Sequence, residues 1–267
     1  MALLTDKYRP KKLDDVRGQP ECIEYLKSFV AAPYPTALLF QGASGIGKTS
    51  AAYALAAELG VDFEAAELGG LHIIASGEQS ADQVRETYGR MTTMPMSGSG
   101  WKVFIVNEVD RMSPAAETIW LDRLEQLPGH TLIIFSTNHP ENLTDRFRDR
   151  CQVLQFAANH RDVGQAGVDL LADVWVKEAP SRPVDRAALA GIVKKSTALN
   201  GDFSFRRALM ALQQLLAMPA KPAAAGAAGV AAAAVKPVVK TITCPACHKV
   251  WPAGREFCEE CGMTLAA

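Results

Sequence analysis

Eight consecutive residues, Gly42-Ala-Ser-Gly45-Ile-Gly47-Lys48-Thr49, follow the spacing G-x-x-x-x-G-K-[ST]. Glycines at that spacing let a run of backbone N–H groups turn inward around a polyphosphate. Lys48 would then reach the terminal phosphoryl oxygens, and the Thr49 hydroxyl would ligate Mg²⁺. A second element follows the apolar run Val103-Phe-Ile-Val106, which leads into Asn107-Glu108-Val109-Asp110, the position of a Walker B motif. There Glu108 would polarise an attacking water; the plainer reading is a solvated acid at a strand end. Position 107 in that motif usually holds an Asp that helps hold the metal through water. Asn107 offers an oxygen without the negative charge, so Mg²⁺ affinity and turnover are both expected to fall, with Asp110 open as a partial compensation. A third element is Cys244-Pro-Ala-Cys247 with Cys258-Glu-Glu-Cys261, the pattern C-x₂-C-x₁₀-C-x₂-C. Two tight turns, each presenting two thiolates, complete a tetrahedron around Zn²⁺. A module this small has almost no core, so metal binding at roughly 10–16 kcal/mol would supply its folding energy. Trp251 and Phe257 would form its apolar cover, with His248 a bystander.

The phosphate loop needs a strand before it and a helix after it. Thr36–Gln41 is the apolar run before, and Thr49–Leu59 is the Ala- and Leu-rich stretch after, closed by Gly60. Further strands are expected at Leu71–Ala75, Lys102–Val106, Thr131–Phe135 and Gln152–Phe156. Stretches of helical spacing separate them, such as Ser113–Leu127 with Ser113 as cap and Pro114 at the first helical position. Near-continuous apolar strands alternating with helices imply a buried parallel sheet covered on both faces, an α/β class. From Arg161 to Leu216 no strand is expected; three amphipathic helices fit, near Val163–Glu178, Asp185–Lys194 and Phe203–Leu216, forming a small lid. Residues 217–243 are Ala-dominated, with Pro219, Pro222 and Pro237 and no aromatic or acid, which reads as a flexible linker. The expected organisation is a P-loop domain over 1–158, a helical lid over 159–216, the linker over 217–243 and a zinc ribbon over 244–265.

The 267 residues carry a net charge of −1, so any contact with nucleic acid must come from a local cationic face. No stretch approaches the ~20 apolar residues of a membrane span, and the start Met1-Ala-Leu-Leu-Thr-Asp6 lacks a signal peptide's basic and apolar regions. Cys22 and Cys151 stand alone among the six cysteines. Reduced thiols plus a metal site, not a disulfide framework, point to the cytoplasm.

The segment Thr5-Asp-Lys-Tyr8-Arg9-Pro10 through Val16-Arg-Gly18-Gln19 resembles the N-terminal box of clamp-loader small subunits, the replication factor C family and its phage counterparts. The resemblance implies that Tyr8, Arg9 and Pro10 line the adenine side of a nucleotide; the residues alone read as an N-terminal strap before a helix. Phe135-Ser-Thr-Asn138 looks like the family's sensor 1, which orients water near the γ-phosphate. Arg148-Asp149-Arg150-Cys151 resembles its Ser-Arg-Cys motif, departing at Asp149, and implies Arg150 as an arginine finger inserted into a neighbour's site. By itself Arg150 is a surface arginine before a strand. Gly201-Asp202-Phe-Ser-Phe-Arg206-Arg207 resembles the sensor 2 motif with two extra residues, which selects Arg206 and leaves Arg207 open. Ala75–Arg85 is similar to the stretch before the family's DNA-tracking helix, so Arg85 and Arg90 are candidate DNA phosphate contacts or else solvated arginines.

The resemblance covers Leu4 to Leu216. It implies an AAA+ fold that contacts nucleotide through Gly42, Gly45, Gly47, Lys48, Thr49, Ser50, Asn107 and Arg206, with Glu108, Asn138 and Arg150 as catalytic groups. The implied function is an ATP-hydrolysing subunit of a sliding-clamp loader in DNA replication. It would use ATP, Mg²⁺ and Zn²⁺, with other AAA+ subunits, a clamp and primed DNA as partners and no membrane. The family normally continues into a helical collar, where this chain has its Ala-rich segment. Two alternatives stand beside it. One is an AAA+ remodeller or branch-migration motor; protein threading would want an aromatic-apolar-Gly pore loop, for which only Tyr88-Gly89 is available. The other is a weakly hydrolysing ATP-switch adaptor that recruits partners through its ribbon.

Overall fold

The computed structural model describes residues 3–65, 70–77, 79–218, 241–243 and 250–252. The chain divides into two compact units, 1–219 and 220–267. In the first, five parallel strands form one sheet: β1 (Thr36–Gln41), β2 (Leu71–Ile74), β3 (Lys102–Val106), β4 (Thr131–Thr137) and β5 (Gln152–Gln155), in the order β2-β3-β4-β1-β5. Gln41 is level with Thr137 on one side and Gln155 on the other, and Val106 is level with Phe135. The carboxyl ends of β3, β4 and β1 therefore finish side by side, the rim where open α/β sheets hold ligands.

The strand sequences follow from two-sided burial. Every residue of β3 and β4 is buried, so neither shows a polar alternation. Leu38, Phe40, Val103, Ile105, Leu132 and Ile134 face one core, shared with α2 (Pro20–Ala31) and α3 (Lys48–Glu58). Ala37, Leu39, Phe104, Val106, Ile133 and Phe135 face the other, shared with α4 (Ala81–Met91) and α5 (Pro114–Leu124). There Phe135 stands edge-on to Trp120 at 5.2 Å and to Phe147 at 5.0 Å, geometries that aromatic quadrupoles favour. The lysine inside β3 has its own reason. Lys102 donates from Nζ to the carbonyls of Arg90 (3.0 Å) and Met91, closing the C-terminus of α4.

Helix boundaries follow their caps. Ser113 accepts from the Ala116 N–H at 3.1 Å to start α5. That helix stops at Leu124, short of the expected Leu127, because Pro128 disfavours helical geometry in the residue before it. β2 ends at Ile74 and β5 at Gln155, each one residue before the sequence suggested, while β4 runs two residues further, to Thr137.

After α6 (Asp145–Asp149) and β5, the chain forms α7 (His160–Glu178), α8 (Arg186–Lys195) and α9 (Phe205–Ala217), capped by Asn159, Asp185 and Ser204. They enclose a third core that includes Leu171, Trp175, Val193, Phe203 and Leu212. The short N-terminal helix α1 (Leu4–Lys7) joins it: Leu4 is buried there, and its N–H donates to Gln213 Oε1 at 3.0 Å. In the second unit, β6 (Thr241–Thr243) pairs antiparallel with β7 (Val250–Pro252). Cys244, Cys247, Cys258 and Cys261 lie outside the described residues.

Candidate functional site

The loop between β1 and α3 closes on its own lysine. Lys48 is 7% exposed, and its Nζ donates to the carbonyls of Gly42 (2.7 Å) and Ala43 (2.8 Å) and to Asn138 Oδ1 (2.8 Å). All three donors of the ammonium are thereby used. Burial, then the positive charge of Arg206, lower its pKa to about 8, against the opposing pull of Asp110 and Glu108. A desolvated cation fixed at the mouth of a strand–helix turn is matched to a charged oxygen ligand. Two glycines are needed for steric reasons. At Gly42 (φ 143°) a Cβ would lie 2.7 Å from the Phe156 carbonyl, and at Gly45 (φ 80°) one would lie 2.3 Å from Ser204 Oγ. Gly45 also accepts at its carbonyl from the Arg206 N–H at 3.3 Å, so the loop rests directly on the start of α9.

Asn107 ends β3. Its Oδ1 accepts from Ser136 Oγ at 3.3 Å and makes a long 3.5 Å contact with Thr49 Oγ1. The next residue, Glu108, is not glycine yet sits in the left-handed region (φ 53°, ψ 51°), a conformation that costs on the order of 1–3 kcal/mol and recurs at functional sites. Its carbonyl accepts from Arg111 N–H (3.0 Å) and from Gln79 Nε2 (3.4 Å), and Gln79 Nε2 also donates to the Asn107 carbonyl. The Glu108 carboxylate, paired with Arg111 Nε at 3.3 Å, remains 40% exposed at the rim. One turn on, Asp110 Oδ1 accepts from Thr137 Oγ1 at 2.6 Å.

Lys48, Thr49, Asn107, Glu108, Ser136, Thr137 and Asn138 border one cleft of about 380 Å³. Its walls are residues 44–50, Asn107 and Glu108, residues 136–138, the N-terminal segment including Tyr8, Arg9 and Pro10, and Phe205, Arg206 and Leu209 of α9. Arg206 faces it, and Arg207 is not among its walls. Tyr8 gives its hydroxyl to Glu178 Oε1 at 2.6 Å; burial, then that neighbour, push its pKa up to about 12. Arg9 lies 5.2 Å over the Tyr53 ring, so the N-terminal segment fastens one wall.

Other expected residues lie elsewhere. Arg85 and Arg90 are on α4, outside the cleft, with Arg85 Nη1 2.6 Å from Asp82 Oδ1 and Arg90 Nη2 2.9 Å from Glu86 Oε1. Arg150 lies two residues before β5, at the opposite ends of the strands, 2.5 Å from Glu125 Oε1. The two described cysteines are inert thiols, pushed up to about 11 for Cys22 and about 12 for Cys151, mainly by burial. Gln79 carried no sequence signal, because its partners Asn107 and Glu108 are nearly thirty residues away. Asp15–Arg17, also on the cleft, stand inside the N-terminal box without a chemical signature of their own.

The family described as DNA polymerase III, delta subunit, matches residues 18–160, more than half of the chain. The chain belongs to that family. Its membership makes this a clamp-loader type AAA+ chain, and the curated relatives agree. The Replication factor C small subunit of Halobacterium salinarum is 30% identical over 209 residues, 78% of this chain and 61% of that protein. The Replication factor C small subunit of Picrophilus torridus is 36% identical over 154 residues, 57% of this chain and 48% of that protein. The family member described here thus spans about half to three-fifths of the length of the relatives it matches. The Thermotoga maritima RuvB Holliday junction branch migration motor shares the fold, with a TM-score of 0.59 at 19% identity over 78% of this chain and 65% of that one. No described helix is long and apolar enough to cross a membrane.

Proposed function

We propose that the chain is an ATP-binding and ATP-hydrolysing subunit of a sliding-clamp loader in DNA replication. The observation that carries this is the phosphate loop with Lys48 buried at its mouth, beside Asn138, Glu108 and Arg206, in a chain of the clamp-loader family. The loop amides and Lys48 would hold the triphosphate, Arg206 would approach it from α9, and Tyr8, Arg9 and Pro10 would border the adenine. Glu108 would take a hydrogen bond from the attacking water and Asn138 would help orient that water. Ser50, on the first turn of α3, adds a donor near the phosphates.

The oxygen set beside the loop, the Thr49 hydroxyl and the Asn107 amide, fits Mg²⁺. That ion keeps several of its waters and takes much of its binding from substrate phosphates. Mg²⁺ would neutralise charge building on the phosphoryl oxygens. Arg150 cannot serve its own cleft from the far strand ends, which supports its use on a neighbouring subunit. Arg85 and Arg90 are proposed as DNA phosphate contacts, cytoplasmic in setting. Cys244, Cys247, Cys258 and Cys261 are proposed as a Zn²⁺ ribbon that docks a further partner.

The test is ATP turnover with and without primed DNA and a sliding clamp. Stimulation by both together supports loading, and indifference to both removes it. The neutral Asn107 favours one second reading, an ATP-switch adaptor that hydrolyses poorly. Negligible turnover that Asn107→Asp restores would select it.

A further inference from the structure

The environment of Arg150 is costly for stability and specific in geometry. Its Nη2 is 2.5 Å from Glu125 Oε1 and its Nη1 donates to the Arg146 carbonyl at 3.1 Å. Its Nε is buried with no hydrogen-bond partner. An ion pair at this exposure, 32% for Arg150 and 60% for Glu125, contributes little to folding. A buried N–H without an acceptor opposes folding by more than such a pair returns. Stability therefore does not explain why the guanidinium is held there.

Donor counting suggests what the arrangement does. A guanidinium has five N–H groups in a fixed planar fork. One is shut away at Nε, one goes to Glu125 and one to the Arg146 carbonyl, which leaves one on each terminal nitrogen. One N–H on each of the two terminal nitrogens is the number that two oxygens of a phosphate require. Both anchors adjoin buried residues of packed helices: Glu125 follows Leu124 as the C-cap of α5, and Arg146 precedes Phe147 in α6. The plane of the guanidinium is thus set by packed elements and not by its own flexible stem.

We propose that Glu125 is the positioning residue for Arg150, fixing its guanidinium so that one N–H on each terminal nitrogen faces the triphosphate bound by a neighbouring protomer. This rests on the reading of Arg150 as a group that acts across a subunit interface. Glu125 would act only through the arginine, not on the nucleotide or the attacking water. Misplacing a catalytic group by about 1 Å can cost on the order of 100-fold. Losing one of two anchors is expected to cost about tenfold in kcat and to leave KM for ATP within about twofold.

The experiment compares ATP turnover by the full chain in four forms: native, Glu125→Ala, the isosteric Glu125→Gln and Arg150→Ala. Glu125→Ala should lose about tenfold in kcat at unchanged KM, Glu125→Gln, which keeps an acceptor oxygen without the charge, a smaller but measurable part of that, and Arg150→Ala more. Glu125→Gln guards against a fold defect in the alanine form. Mixing supplies a readout that a structural role would not move. Lys48→Ala protein keeps its finger while losing its own cleft, so mixed with Glu125→Ala it should give more activity than the two apart. Native kcat in both Glu125 variants, with Arg150→Ala impaired, would overturn the inference and leave the cross-subunit arginine standing. Native kcat in Arg150→Ala, or no turnover in the native chain, would overturn the underlying reading.

Discussion

The two ends of the parallel strands are built on different principles. At the carboxyl ends, Lys48 spends its three donors on loop carbonyls and Asn138, and Asp110 and Asn107 each accept hydroxyls from β4 or α3. The donors of the lysine are thus satisfied within one chain. At the amino ends, Arg150 is anchored by Glu125 and a carbonyl, with a buried Nε that has no partner. The first arrangement suits a ligand that the chain holds itself; the second makes sense when something outside the chain completes it.

Substitutions at either end of the strands test this difference. The largest effect is expected at the amino ends. Arg150→Ala should lower kcat by roughly 10³-fold, the lower range for arginine fingers, with nucleotide affinity unchanged in equilibrium binding. Equal loss of affinity would place the arginine in its own cleft. Next, Gly45→Ala drives a methyl into Ser204 Oγ at a left-handed position. It should weaken ATP binding by roughly 10–100-fold, since strain and overpacking of a few kcal/mol fall where the loop meets α9; calorimetric titration reads it. Asn107→Asp adds a charge beside the phosphates, and at an effective dielectric between protein surface and water that should tighten half-saturation by Mg²⁺ about tenfold.

The smallest effect is with pH. The Lys48 pKa is lowered to about 8 in the chain without nucleotide. Below pH 8 the lysine is already charged and binding is level. Above it, binding must take up a proton, so the apparent Kd for ATP should rise toward about tenfold per pH unit. A flat profile between pH 7.5 and 9 would contradict the burial of that amine.

Much of this was readable from the chain. β3 and β4 showed as unbroken apolar runs because both their faces are covered, and the loop from Gly42 to Thr49 carries its chemistry in its spacing. Ser113 and Asp185 mark helix starts through local hydrogen bonds that sequence can suggest, whereas the caps Asn159 and Ser204 were missed, the starts being expected near Val163 and Phe203. What was not legible depends on distance along the chain. The strand order β2-β3-β4-β1-β5 is set by pairing between remote segments. Gln79 looks like any loop glutamine until it meets the Asn107 and Glu108 carbonyls. The choice between Arg206 and Arg207 needs the seating of Gly45 on α9. Glu125 gave no signal, being one more acid at the end of a helix until α6 brings Arg150 against it.

The most direct test of the central claim is an equilibrium titration of the purified chain with Mg-ATP beside its Lys48→Ala form. Saturable binding is expected in the native chain, weakened at least ~100-fold by the substitution, because two or more charge-assisted contacts are lost. Binding of equal strength in both forms, or none in the native chain, would contradict it.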